Sequence, residues 1–235
     1  MVWPDGWDHC AVASARVDEA EVRTLILGPL ENGKLQSLGS DIRRNDWRAG
    51  RMAARRALRT LAGTQIQDLN SISILADAEG APQVWFGDGT RAPYGVSLTH
   101  GGGEAYALAW RESDWTAGID WVSLSDRGRT RSVMSRWARP EEAEWLRWEH
   151  GPCLLWGVRE ALSKATRTGM FVFGLSRVHV HGVERDRVLT NWPEAEIRWR
   201  EVPGTGILVV ARVPPSIRNE ARDLATAAMT AVRSP

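Results

Sequence analysis

Apolar residues recur at spacings of three and four between 154 and 167, where Leu155, Val158, Ala161, Leu162 and Ala165 share one face and no proline intervenes, so an amphipathic helix is expected there. A second helical pattern begins at Ser40-Asp41 or, after a break, at Asn45-Asp46, whose side-chain oxygens suit an N-cap. It runs to Leu61 and stops at Gly63, which is free to take a left-handed C-cap. A third helix is expected over 216–232, after Pro214-Pro215 and capped by Ser216, and Pro140 followed by acids marks another helix start. Strand patterns occupy 10–17, 71–75, 83–86, 94–99, 105–110 and 116–124. Five more, at 170–173, 177–181, 187–190, 196–200 and 206–212, alternate as an antiparallel sheet with one wet face does. Gly28-Pro29, Asn32-Gly33 and Glu79-Gly80-Ala81-Pro82 mark the turns. A helix followed by strands over 41–110, then helices followed by strands over 129–212, is the order of an α+β fold with an internal duplication.

Composition narrows the function classes. The 235 residues are 43% hydrophobic and 25% charged, which is ordinary for a globular chain. Thirty Lys and Arg against 29 Asp and Glu leave a formal charge of +1, so no global footprint for nucleic acid or an anionic membrane exists, and any basic site is local. Met1-Val2-Trp3-Pro4-Asp5-Gly6-Trp7 has no signal-peptide pattern and no run of 18 apolar residues occurs, so a cytoplasmic protein is expected. Cys10 and Cys153 lack the spacing of zinc or redox pairs and read as small core residues. Thirteen Trp against two Tyr and three Phe read first as core and groove fillers, Trp47 in phase with Ala54 and Leu58, and second as stacking platforms.

Candidate chemistry concentrates in a few places. Glu160 and Lys164 stand one turn apart on the central helix, which alone is a solvated ion pair. Asp120 lies on an apolar strand, where a carboxylate requires a hydrogen-bonding or cationic partner. Arg48, Arg51 and Arg55 form a stripe that reads by default as a solvated face, and otherwise, at Arg51 and Arg55, as forked donors for phosphate. Thr99-His100 opens into Gly101-Gly102-Gly103, a run able to bring backbone N–H groups to an anion. Arg127, Arg129, Arg131, Arg136 and Arg139 read equally as a mobile solvated stretch or as a dock for an acidic partner. His179 and His181 share a strand face without a third metal ligand nearby.

Four segments in order carry a family resemblance. Gly50-Arg51-Met52-Ala53-Ala54-Arg55-Arg56-Ala57-Leu58, Ser97-Leu98-Thr99-His100, Gly118-Ile119-Asp120 and Trp156-Gly157-Val158-Arg159-Glu160-Ala161-Leu162-Ser163-Lys164 together resemble the motifs of the 4′-phosphopantetheinyl transferases. The resemblance spans roughly residues 40 to 170 and is closest to the monomeric, two-half members that activate carrier proteins of polyketide and peptide synthases. It implies two similar α+β halves, 1–114 on the coenzyme A nucleotide side and 115–235 with the catalytic helix, meeting at a seam near 112–116. It also implies Mg²⁺-dependent transfer of phosphopantetheine from coenzyme A to a serine of an acyl or peptidyl carrier protein, with release of 3′,5′-ADP. Asp120 and Glu160 would be the metal ligands; Asp120, Glu160 and Lys164 the catalytic set; and Arg51, Arg55, Thr99, His100, Arg159 and Lys164 the coenzyme A contacts. Where many members carry a third acid this chain has Val122, with Trp121 before it, and Ala81 stands where many have a basic residue.

Two rival readings remain open on the sequence. A relative that has lost or changed its chemistry, and binds coenzyme A or a carrier protein, is motivated by Val122, Trp121 and Ala81. A Trp-rich module for nucleic acid or glycan is the other, and the near-neutral charge counts against its nucleic-acid form.

Overall fold

The computed structural model describes residues 7, 9–28, 30–66, 68–112 and 115–233, apart from the side chains of 172, 228, 229 and 231–233. Residues 1–6, Pro29 of the first loop and Ser113 and Asp114 of the expected seam lie outside the described residues. The chain forms two compact units, Met1–Ser113 and Asp114–Pro235. The first runs β1 (Cys10–Arg16), α1 (Ala20–Arg23), α2 (Asn32–Gln36), α3 (Asp41–Ala62), β2 (Ser73–Ala76), β3 (Pro82–Trp85), β4 (Arg91–Gly101) and β5 (Glu104–Arg111). The second runs β6 (Thr116–Ser123), α4 (Arg127–Trp137), α5 (Ala143–Arg147), α6 (Gly151–Thr166), α7 (Leu175–Arg177), β7 (Val180–Glu184), β8 (Arg187–Thr190), β9 (Glu196–Val202), β10 (Gly206–Val213) and α8 (Pro215–Arg233).

The fold is α+β, and the same topology occurs twice. The first sheet has the order β1-β5-β4-β3-β2 and the second β6-β10-β9-β8-β7. In each, the first strand pairs antiparallel with the last and the rest follow as a meander, while the long helix lies in the connection after the first strand.

Local chemistry accounts for the two long helices. The Ser40 hydroxyl accepts from the Arg43 N–H at 3.3 Å and opens α3, and Gly63 at φ 55° ends it. Its core face carries Ala49, Ala53 and Ala57, and β5 turns Ala105, Ala107 and Ala109 to the same core, so small side chains on both sides let helix and sheet approach closely. Pro152 stands in the first turn of α6, and Arg167 in the left-handed region at φ 59° closes it.

Three expectations fail. The apolar run 170–173 is no strand but part of a π-helical turn, Met170–Gly174, pressed on α6 where a Cβ on Gly174 would stand 2.5 Å from Ser163 Oγ and 2.9 Å from the Arg159 carbonyl. Ser216 does not cap α8, which starts at Pro215; its hydroxyl donates to Glu194 at 3.0 Å. The second sheet lacks a uniformly wet face, because β10 buries every residue from Gly206 to Ala211, as a continuous Ile-Leu-Val-Val-Ala run requires.

Each unit also contains the same buried ion pair. In the first, Glu31 accepts from the Gly28 N–H at 2.7 Å, from the Ile74 N–H of β2 at 3.0 Å and from Arg55 Nη2 of α3 at 2.6 Å. In the second, Glu142 accepts from the Arg139 N–H at 2.9 Å, from the Val180 N–H of β7 at 2.8 Å and from Arg159 Nη2 of α6 at 2.6 Å. Both carboxylates are 0% exposed. A glutamate ahead of the long helix thus satisfies the N–H three residues before it, an N–H at the edge strand, and an arginine of the helix, once per unit. Recurrence of this arrangement, with matching strand order, is what the duplication consists of.

Candidate active site

The site in the second unit begins with two glycines that let α6 lie against β6. A Cβ on Gly118 would fall 2.1 Å from the Ala161 carbonyl oxygen and 2.7 Å from the Ala165 nitrogen, and one on Gly157 would fall 2.8 Å from Val209 Cγ2. Side chains alternate along a strand, so Asp120 follows Gly118 onto the face that meets α6. There Lys164 Nζ donates to Asp120 Oδ1 at 2.8 Å and to the Ile119 carbonyl at 3.0 Å. Burial pushes the Glu160 carboxyl above its ordinary value of 4.5; the Lys164 charge opposes the shift and the Asp120 charge adds to it. The structure therefore brings Asp120, Glu160 and Lys164 together in a half-buried cluster.

The close approach at Gly118 makes a prediction. In Gly118→Ala the added methyl meets backbone rather than a movable side chain, so β6 and α6 must separate. A loss of about 2–3 kcal/mol is expected in urea unfolding, and Asp120 moves off Lys164; a change below about 0.5 kcal/mol contradicts this packing.

Within the cluster, the two carboxylates are the groups that could hold a divalent cation of the Mg²⁺ type. Asp120 and Glu160 are hard oxygen donors on facing elements, and such an ion takes one or two carboxylates with waters and phosphate oxygens filling the rest. Among the described residues no group of three His, Cys, Asp or Glu side chains could hold a metal. Val122 explains the missing third acid, since its side chain belongs to the apolar core and lies 3.5 Å from where a Gly157 Cβ would stand. Trp121 does not intrude, because it alternates to the other face, where a Cβ on Gly206 would meet its Nε1 at 2.6 Å.

The raised Glu160 carboxyl has a consequence for stability. A group whose folded pKa lies above its unfolded value stabilises the fold fully below about pH 4.5 and loses that contribution as pH rises through the folded value. Glu160→Gln is therefore expected to melt a few degrees above the parent at pH 7 to 8, with the difference vanishing toward pH 4. Equal melting temperatures at pH 8 would contradict the assignment.

The other expected site residues have surroundings of their own. Arg51 and Arg55 turn into the core of the first unit. Arg51 Nε donates to the Ile74 carbonyl at 3.0 Å, Arg55 Nε to the Leu69 carbonyl at 3.0 Å, and both guanidinium groups are buried beside Glu31, with Arg51 also over the Trp47 ring. Arg159 does not line the cluster either; it is fully buried and holds Glu142 through both carboxylate oxygens. The reason is the same in each case: a buried carboxylate with two N–H donors still needs a counter-charge, and the nearest helix supplies it. Glu31 and Glu142 went unread in the sequence, although Arg139-Pro140-Glu141-Glu142 has the spacing by which a glutamate reaches back three residues.

Thr99 and His100 point to opposite faces of β4, Thr99 buried and His100 exposed at the strand end. The glycine run does not form an anion cradle: Gly102 and Gly103, at φ 56° and 82°, make the two-residue hairpin turn joining β4 to β5, which requires left-handed residues at both positions. The Ala81 N–H donates to Asp77 Oδ1 at 2.9 Å. The basic stretch is ordered as α4 rather than mobile. Arg127 pairs with Glu149 and Arg131 donates to the Leu146 carbonyl, while Arg129 and Arg136 are exposed without an ion-pair partner among the described residues.

Comparison with known proteins adds the following. No protein-family model and no curated protein sequence matches the chain. Among solved structures, the chain is similar to the holo-[acyl-carrier-protein] synthase of Neisseria meningitidis, at 18% sequence identity and a TM-score of 0.36, over 45% of this chain and 98% of that one.

Proposed function

We propose that the chain is a phosphopantetheinyl transferase whose reaction centre is the Asp120–Glu160–Lys164 cluster. The observation that carries this reading is the ion pair of Lys164 with Asp120, bridging residues 44 apart in sequence and set beside a carboxyl held above its ordinary range. Two segments that share motifs with that family, 118–120 and 156–164, supply these groups. Bound at Asp120 and Glu160, Mg²⁺ would neutralise the coenzyme A diphosphate. Lys164, anchored on the Ile119 carbonyl, orients the Asp120 carboxylate and adds positive charge where the leaving group develops its negative charge. Glu160, or a water held by the metal, would take the proton from the carrier serine. The serine oxygen bonds to the β-phosphorus, the bond from that phosphorus to the bridging oxygen breaks, and 3′,5′-ADP leaves. The nucleophile belongs to the partner, so this chain needs none. His100, with its exposed imidazole, is proposed as a donor to the coenzyme A phosphates. A monomer working in the cytoplasm follows from the same reading, and no helix among the described residues is long and apolar enough to cross a membrane.

The test is release of 3′,5′-ADP from coenzyme A in the presence of an apo carrier protein and Mg²⁺, followed chromatographically. Release that needs both the carrier and the metal supports the proposal; none with several acyl and peptidyl carriers overturns it. A second reading, a relative that binds coenzyme A or a carrier without transfer, is favoured by the withdrawal of Arg51, Arg55 and Arg159 into the core, which leaves fewer cations for phosphate. It predicts coenzyme A binding that is independent of Mg²⁺.

The exposed Arg129 and Arg136 of α4 are proposed as the dock for the acidic carrier. Changing both to Glu is expected to raise the carrier KM about tenfold and leave the coenzyme A KM unchanged; an unchanged carrier KM excludes this face.

A further inference from the structure

A cleft of about 450 Å³ lies within the second unit, and none of Asp120, Glu160 and Lys164 lines it. It is built where the β8–β9 loop is fastened to the segment before β7. Asn191 Nδ2 and Trp192 Nε1 both donate to the Arg177 carbonyl, at 2.8 and 3.1 Å, and the His179 N–H donates to Asn191 Oδ1 at 2.8 Å. Trp192 is held in turn by the Phe173 ring, 5.2 Å between centroids, and the Ser216–Glu194 hydrogen bond ties the start of α8 to the same loop. These bonds fix the walls independently of any ligand, which is the condition for a pre-formed site.

The wall chemistry is divided by sign. All the basic groups, Arg139, Arg177 and His179, come from the segments preceding α5 and β7, and both acids, Glu194 and Glu220, come from the β8–β9 loop and α8. Among the described residues neither guanidinium and neither carboxylate has an ion-pair partner, although Glu194 accepts from Ser216. His179 Nδ1 is buried with no hydrogen-bond partner. Burial first, then the Arg139 charge, pushes its imidazole below its ordinary value. Trp192, Ile217 and Leu224 add apolar side chains to the lining.

We propose that this cleft binds a small zwitterion of amino-acid type, its carboxylate on Arg139 and Arg177, its ammonium on Glu194 and Glu220, and its apolar body on Trp192, Ile217 and Leu224. The volume lies in the range of small-molecule sites. A singly charged ligand leaves one charged wall without a ligand partner, and discrimination of about tenfold or more is expected. The assignment does not depend on the transferase reading.

Isothermal titration of the full chain with L-phenylalanine, phenylacetate and phenethylamine tests it. L-Phenylalanine is expected to bind about tenfold or more tightly than either singly charged probe. Arg139→Gln with Arg177→Gln is expected to bring it to the phenethylamine level, and Glu194→Gln with Glu220→Gln to the phenylacetate level. All four side chains are exposed, and unchanged circular dichroism and melting confirm that the variants fold. No saturable binding of L-phenylalanine, equal affinity for the three probes, or indifference to both double variants overturns the proposal.

Discussion

Glu142→Ala is expected to destabilise the chain by about 3–5 kcal/mol, measured by urea unfolding. The substitution leaves the Arg159 guanidinium buried without its counter-charge and strips the Arg139 and Val180 N–H groups of their acceptor. Domains of this kind have only about 5–15 kcal/mol in total, so the variant sits near the edge of folding. Burial already draws the Arg159 pKa down and Glu142 opposes it, so loss of Glu142 removes the main group keeping that charge tolerable. Pairing Glu142→Leu with Arg159→Met should recover part of the loss, because no lone charge remains, but not all, because the two backbone N–H groups stay unpaired. By the duplication, Glu31→Ala should behave alike in the first unit, where Arg55 and the Ile74 N–H lose the same partner. Glu149→Ala, which breaks the exposed pair with Arg127, serves as the contrast at under about 1 kcal/mol. Equal effects of Glu142→Ala and Glu149→Ala would refute the structural role given to the buried pair.

The largest effect on activity is expected at Asp120 and Glu160. Either residue changed to Ala should lower kcat/KM for carrier modification by about 10³-fold or more, the scale on which charge stabilisation at a phosphoryl centre acts. Folding should survive: Lys164 keeps the Ile119 carbonyl when Asp120 is lost and reaches solvent, and Glu160→Ala relieves a carboxyl that burial disfavours. The pair is separable by stability, since Glu160→Ala should melt no lower than the parent while Asp120→Ala melts slightly lower through loss of its ion pair. Steady-state kinetics with an apo carrier beside a thermal melt distinguish a chemical role from a structural one. A variant that keeps a tenth or more of the parent activity contradicts the placement of the reaction at this cluster.

The sequence reveals what is local and periodic. Helices α3 and α6 follow from their apolar spacing, from Ser40 as a cap and from Gly63 at the stop, and the strands of the first unit follow from alternation around Gly and Pro turns. The run at 170–173 misleads because four apolar residues fit a strand or a buried helical turn equally well; only the packing of Gly174 on α6 separates them. The arginines mislead for another reason. A stripe of charge reads as exposed unless the partner is known, and Glu31 and Glu142 lie 24 and 17 residues from the arginines they bury. The cluster itself was legible only in part. Asp120 on an apolar strand announces that it needs a partner, but Lys164 as that partner is a tertiary fact, and the recognition of Glu160 beside them rests on the family motif rather than on spacing.

The direct test of the central claim is the intact mass of an apo carrier protein after incubation with coenzyme A and Mg²⁺, alone, with the parent chain, and with Asp120→Asn or Glu160→Gln. The account predicts a gain of one phosphopantetheine unit with the parent and none with either variant, both of which keep the shape of the side chain and remove only its charge. An unmodified carrier with the folded parent chain, or full modification by both variants, would contradict it.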